Sequence, residues 1–481
     1  KNNPRVRKLR GWVYRALQLQ PDQWGELIED MLGCLFPLDE RKHPKAPKKR
    51  SGPPPSQPGR AANRHHRKAA ELKKIRELFG RNPRGLADSI AAGAPPSDEP
   101  DIPPMDVVMR VHGAMFESPS PSDREPFTPK GPSPSLPFSP ITPQNVKAAK
   151  RIWKLLAPGC DGVLAMKVQR CCGALAVLFN LVLASRYQPP DWSLLRTVLV
   201  PKTGKDRRLA TSWRPITIGS AVQRLFHRVL IPKLDAAVSL NLNQRGFVPV
   251  DGCLANVITL DTLMGERTTS RRGLALVCID IRKAFDSVLH ESIRRAMDRS
   301  GVPNRLSDYI MASHGGSVTS FRVGHETSPC IEIRRGVKQG DPLSPLLFNL
   351  GVDELLDTLD SSEGSGCPFS NGTRCRVLAF ADDLVLTGEN AGDVKGLLRT
   401  TEAFFHRRGM TLHPEKCRAL VLVRSSSGAV YPAPKSGLSI EGKAIPSVTD
   451  INPMQYLGFT FDTHGVMKPN LTNYSAWLQR L

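Results

Sequence analysis

The chain has 481 residues, 40% of them hydrophobic, enough to bury a sizeable core and to hold more than one domain. No run approaches the roughly 18 consecutive apolar residues that span a bilayer, so composition excludes a transmembrane-helix protein and makes a soluble one the default. Lys and Arg number 67 against 45 Asp and Glu, a net charge of +22, and that excess favours a polyanionic partner because each neutralised phosphate releases counterions.

The chain opens on Lys1 without the charged-then-apolar pattern of a signal peptide. Up to about residue 40, Trp12, Leu17, Trp24, Leu27, Ile28 and Met31 recur at helical spacing. From Arg41 to Arg84 there are fifteen Lys or Arg and only two acids, Glu71 and Glu77. Within it, Pro44–Pro55 reads as a nuclear-import signal, a nucleic-acid arm or a solvated linker, and Ala61–Phe79 as a basic helix. Proline recurs every few residues between Gly93 and Pro143, which predicts extended chain, either a linker or a segment draped over a neighbour. These shifts divide the chain into a basic N-terminal extension (1–92) suited to binding RNA, a Pro-rich linker (93–141) and a folded part (142–481).

Order resumes at Thr142-Pro143, a helix cap followed by proline at the first helical position. Thereafter strand-length apolar runs alternate with helix-period stretches, an α+β or α/β pattern rather than a bundle. Leu274–Ile279 is a strand of buried type running straight into Asp280, followed by a helix with Leu289, Ile293, Ala296 and Met297 on one face. Leu378–Leu386 reads as a β-hairpin with Asp382 and Asp383 at its turn. The run ends at Leu481 inside a helix-like stretch, and both ends suggest a piece of a longer protein. The ten cysteines are scattered, with no CxxC paired to a second metal-binding motif, so they read as reduced intracellular thiols and predict no structural zinc.

Aspartate is a common turn residue, and one acid at the end of an apolar strand carries little information. Two such sites suggest a shared one. Like charges about 4 Å apart repel by roughly 4 kcal/mol at an effective dielectric near 20, enough to raise one pKa by about 3. A divalent cation removes that penalty. Oxygen-only ligands favour Mg²⁺ or Mn²⁺ over zinc, and two ions between Asp280 and Asp382 could activate a primer 3′-hydroxyl and stabilise leaving pyrophosphate.

Asp280 with Phe285-Asp286, then Arg335-Gly336-Val337-Lys338-Gln339-Gly340-Asp341-Pro342-Leu343-Ser344-Pro345, then Phe380-Ala381-Asp382-Asp383, resemble in kind and order the motifs of reverse transcriptases. The likeness is strongest to non-LTR, LINE-type retrotransposons, especially those that insert at fixed sites. Ala157-Pro158-Gly159-Cys160-Asp161-Gly162 is similar to the family's GPDG turn, with Cys160 where proline usually stands. Leu178-Phe179-Asn180, Pro189-Pro190-Asp191-Trp192, Pro201-Lys202, Trp213-Arg214-Pro215-Ile216, His413-Pro414-Glu415-Lys416-Cys417 and Tyr456-Leu457-Gly458-Phe459 complete the series over about residues 142–465.

The resemblance implies an α+β right-hand polymerase, fingers and palm with an antiparallel palm sheet, the chain stopping where a thumb would begin. It implies that Asp280, the Ile281 carbonyl and Asp382 hold two Mg²⁺ (or Mn²⁺) ions, with Asp383 in support. Phe285 would exclude a 2′-hydroxyl, Lys202 and Arg214 would grip the triphosphate, and Gln339 and Gly340 would line the nucleotide pocket. Gly336 would approach the template, Leu457 and Gly458 would form the primer grip, and Lys416 would protonate pyrophosphate or cap structure. The implied partners are an RNA template, a DNA primer or nicked target DNA, and dNTPs, with no membrane, and synthesis on nicked target DNA implies an intracellular, nuclear protein. Two other readings stand beside this one: a catalytically inactive nucleic-acid-binding relic of the same fold, and a group II intron-type or telomerase-type polymerase.

Overall fold

The computed structural model describes residues 4–37, 102–118, 126–130, 139–151, 157–168, 171–449, 451–463 and 467–469. The basic stretch 41–84 with its expected helix Ala61–Phe79, and the expected helix at the end of the chain, lie outside the described residues.

The N-terminal periodicity resolves into two helices, α1 (Pro4–Gln18) and α2 (Trp24–Leu35), broken at Pro21. The break resets the helical phase. Trp12 and Ala16 form the buried stripe of α1, while Leu17, expected on the apolar face, is 81% exposed. Both helices pack on α3 (Cys172–Ser185), whose Leu175, Leu178, Phe179, Val182 and Leu183 are all buried. A helix apolar on every side needs neighbours on every side, and α4 (Ala221–Asp235) and its Phe226, stacked on Phe179 at 4.5 Å, supply another. The helix expected after Thr142 runs from Pro143 to Arg151, and the Asn145 amide donates to Thr142 Oγ1 at 3.3 Å.

The first sheet contains β1 (Leu194–Pro201), β2 (Trp213–Ile218), β4 (Val318–Val323), β5 (Glu326–Thr327) and β6 (Ile331–Glu332), with β3 (Leu274–Ile279) reserved for the second. Strand β1 pairs antiparallel with β2 and parallel with β4. Thr197 on β1 ties all three strands, its Oγ1 lying 3.1 Å from Thr217 Oγ1 and 2.9 Å from Thr319 Oγ1. Part of the segment read as Pro-rich linker is helical: residues 105–117 form a short helix with a π turn at Met109–Gly113, draped on this sheet. Met105, Val108, Met109, His112 and Phe116 recur at helical spacing there, and that signal was masked by the flanking prolines.

The second sheet is antiparallel throughout, as expected for the palm. Its order is β10-β9-β3-β8-β7, from β7 (Val377–Phe380), β8 (Asp383–Gly388), β9 (Arg418–Arg424) and β10 (Val430–Pro432). Strand β3 reads as a continuous apolar run because both its faces are covered. Ala275, Val277 and Ile279 join the main core with α8 (Ser344–Asp360) and α9 (Ala391–Arg407). Leu274 and Leu276 join a second cluster with α5 (Gly252–Thr269) and the hairpin of β11 (Met454–Tyr456) and β12 (Phe459–Phe461). The helix following Asp286 is α6 (His290–Arg299), packed on α7 (Asn304–His314), and Leu289, Ile293, Ala296 and Met297 are buried as their spacing predicts. No helix among the described residues is long and apolar enough to cross a membrane.

Candidate active site

Register brings the distant acids together. Ile279 of β3 pairs with Leu384 of β8, so Asp280, one residue beyond, and Asp383, one residue before, lie at the same end of the sheet. Phe380 pairs with Asp383, which makes Ala381-Asp382 a two-residue hairpin turn. Ala381 has φ +54°, a left-handed conformation that costs an L residue about 1–2 kcal/mol. The Gln244 amide holds it there: Oε1 accepts from the Ala381 amide at 2.7 Å and Nε2 donates to its carbonyl at 3.4 Å. Gly246 lies directly beneath, where a Cβ would come within 2.3 Å of the Ala381 nitrogen. On the other side, residues 411–413 clamp the end of β3, with Arg282 N donating to Thr411 O and His413 N to Asp280 O.

Ten of the residues singled out in the sequence line one open cleft of about 1280 Å³: Lys202, Arg214, Asp280, Ile281, Phe285, Gln339, Gly340, Asp382, Asp383 and Lys416. Lys416 Nζ stands 3.6 Å from Asp280 Oδ2. Although the Asp383 side chain reaches solvent, the protein packed around it, then Asp382 and Asp280, push its carboxyl up to about 7. Asp382 is also raised, first by burial and then by Asp280, while its own backbone amide and Arg214 pull it back. Crowded carboxylates of this kind fit a divalent cation. Among the described residues no three His, Cys, Asp or Glu side chains form a complete metal cage. An Mg²⁺ ion typically takes one or two carboxylates and completes its shell with water and substrate phosphates. Asp280, Asp382 and Asp383 bring carboxylates to the cleft, and Ile281 lines it beside them.

The opposite wall is cationic. Lys202, at the end of β1, donates to Thr211 O at 2.8 Å, and burial followed by Arg214 and Lys416 lowers its pKa. Arg214 on β2 is exposed to the cleft. The floor is aromatic: Phe285 stacks on Phe348 of α8, centroids 4.7 Å apart and planes within 5° of parallel. Gln339 Nε2 donates to Asp286 Oδ1 at 2.7 Å, and its carbonyl accepts from the Thr217 amide at 2.7 Å. At Gly340, φ +108°, a Cβ would come within 2.9 Å of Thr217 O, so glycine is what lets this loop lie against β2.

Gly336, Leu457 and Gly458 are not on the cleft wall. Gly336 packs beneath it, where a Cβ would meet Asp286 O at 2.8 Å. Leu457 and Gly458 form the tip of the β11–β12 hairpin beside α5, where Cys253 Sγ lies 3.7 Å from Leu457 O. The cleft also includes residues not singled out in the sequence: His112, Arg224, Arg228, Phe247, Lys283 and Asp286. Phe247 is 61% exposed at φ +58°, a loop aromatic with no periodicity to betray it. Asp286 was quoted only as the companion of Phe285; its burial and its bond to Gln339 need the fold.

The reverse transcriptase (RNA-dependent DNA polymerase) family matches residues 200–461. The chain is 41% identical over 344 residues to the "Retrovirus-related Pol polyprotein from type-1 retrotransposable element R2" of Popillia japonica, a match covering 71% of this chain and 48% of that protein. It is 29% identical over 429 residues to the "Retrovirus-related Pol polyprotein from type-2 retrotransposable element R2DM" of Drosophila melanogaster, covering 88% of this chain and 40% of that protein. The chain thus spans about half, or less, of the curated relatives it matches. Among solved structures, the apo telomerase from Candida tropicalis truncated from its C-terminal domain is similar at a TM-score of 0.39 and 12% identity, over 58% of this chain and 55% of that one.

Proposed function

The chain belongs to the reverse transcriptase family, with site-specific non-LTR relatives, and from that premise we propose that it is an RNA-directed DNA polymerase. It extends a primer 3′-hydroxyl with deoxynucleotides on an RNA template, the primer being nicked target DNA, which sets its work in the nucleus. One observation carries the reading: Asp280, just past β3, and Asp382, in the β7–β8 turn, are 102 positions apart in the sequence yet lie at one end of the palm sheet, in the same cleft as Lys202 and Arg214.

Two divalent ions, when bound, would lower the pKa of the attacking hydroxyl and neutralise charge on the leaving oxygens. Asp280, Asp382 and the Ile281 carbonyl would hold them, and Asp383 would tune the local charge. Lys202 and Arg214 grip the triphosphate from the opposite wall, donating to its phosphate oxygens. Phe285, fixed by its stack on Phe348, is the steric gate against a 2′-hydroxyl. Gln339 and Gly340 supply the flat side of the nucleotide pocket. Lys416, beside Asp280, delivers a proton to pyrophosphate. Gly336 acts from below by shaping the template path, and Leu457-Gly458 hold the primer.

Primer extension on poly(rA)/oligo(dT) tests this reading. The parent extends with dTTP, Asp382→Asn falls below detection, and Phe285→Val admits the ribonucleotide. Equal extension by the asparagine variant would refute the assignment of the acids. Template binding without extension by the parent would instead identify a binding relic.

A further inference from the structure

The helical segment 105–117 bridges the two walls of the cleft. His112 is 4% exposed, and its Nε2 lies 2.9 Å from the carbonyl of Ala210. Ala210 belongs to the turn that joins β1 to β2, between Lys202 and Arg214. A carbonyl only accepts, so Nε2 carries the proton. Burial holds the His112 pKa down at about 4, and the ring is a neutral donor at physiological pH. One residue earlier, the Val111 carbonyl accepts from Lys283 Nζ at 2.5 Å. Lys283 sits at φ +45° in the loop between Asp280 and Phe285.

The segment is itself held firmly. Phe116 stacks on Phe321 of β4 at 6.0 Å, and its carbonyl accepts from the Arg334 amide at 2.9 Å. His112, Met115 and Ser118 face the cleft together with Lys202, Thr211 and Lys283.

We propose that His112 is a positioning residue for the incoming nucleotide, the centre of a strut running Ala210–His112–Val111–Lys283 that sets the spacing between the triphosphate-gripping turn and the loop bearing Phe285. This rests on the polymerase reading for its substrate, a deoxynucleoside triphosphate, but the strut itself is a property of the protein alone. It touches neither metal donors nor the reacting atoms, so its loss loosens nucleotide capture while leaving the chemical step intact.

Steady-state primer extension and amide hydrogen exchange separate the possibilities. His112→Ala raises KM for dTTP by roughly two- to tenfold, the size expected for one lost buried hydrogen bond. Its kcat stays within about twofold, and primer–template affinity is unchanged. His112→Gln, which keeps a donor, recovers most of the loss. Lys283→Met breaks the same strut at its other end and also raises KM, and the double variant is no worse than the poorer single one. In the absence of any nucleotide, His112→Ala speeds exchange at amides 209–212. Additive effects of the two single variants, a loss confined to kcat, or unchanged exchange at 209–212 would each overturn the strut. A parent that extends no primer would sink the polymerase reading while leaving the exchange result to judge the strut.

Discussion

At the scale of single residues, the acids were legible because each stands at the end of a strand-length apolar run, and β register then fixes their meeting. Phe285 was legible only through its motif, since its partner Phe348 is 63 positions away in the sequence. Asp286 was harder still. It is 4% exposed, and burial raises its pKa from 3.8 to about 6, with the Gln339 hydrogen bond and Lys283 opposing. For a carboxyl raised in the folded state, the associated stability is complete below pH 3.8 and lost as pH climbs through about 6. Asp286→Asn removes that dependence. The variant should gain on the parent between pH 4 and 7, by at most roughly 3 kcal/mol, in urea denaturation followed across that range. A stability difference that stays flat with pH would contradict the burial of an ionisable carboxyl there.

At the scale of elements, the β7–β8 hairpin and α6 were read correctly because their periodicity is strong. What supports the hairpin was not, because it comes from a loop. Residues 243–246 lie against β7: the Arg245 amide donates to Ala379 O at 2.9 Å, the Ala379 amide donates to Asn243 O at 3.1 Å, and Asn349 Nδ2 donates to Gly246 O at 2.7 Å. Loop residues have no period, so their partners cannot be read from spacing. Gly246→Ala tests the support, since the added methyl meets backbone at Phe380 and Ala381 and must displace the turn carrying Asp382. A shift on the order of 1 Å costs up to about 100-fold in rate. Primer extension should fall by roughly tenfold or more, with a smaller loss in melting temperature. An unchanged rate would show that the turn is held by something else.

At the scale of the whole molecule, the least legible feature was how the segments before Thr142 join the two sheets. Composition marked residues 93–141 as linker or draped chain without saying where it lies, and part of that stretch walls the cleft while another part is anchored by charge. Lys130 Nζ donates to Asp353 Oδ2 at 2.7 Å, beside Arg299 NH1 at 2.9 Å, and the Asn241 amide donates to Asp353 Oδ1 at 2.6 Å. Asp353, 1% exposed, thus ties together three chain segments outside its own helix. Ion pairs between residues so far apart leave no sequence pattern. Asp353→Ala leaves Asp357 alone to pair Arg299 and Lys130 and leaves the Asn241 amide without its acceptor, and it should cost about 1–3 kcal/mol in denaturant unfolding. Combining it with Arg299→Met should cost less than the sum. A loss below about 1 kcal/mol would mean that water already screens the cluster.

The claim on which the rest depends is that Asp280 and Asp382 together hold divalent cations against a nucleotide. Manganese binding followed by electron paramagnetic resonance, with primer–template and dTTP present, measures it without requiring turnover. The parent should bind Mn²⁺ in the complex, and Asp280→Asn and Asp382→Asn should each lose that binding while still taking up primer–template. Mn²⁺ bound equally well by both variants would place the ions elsewhere and contradict the account.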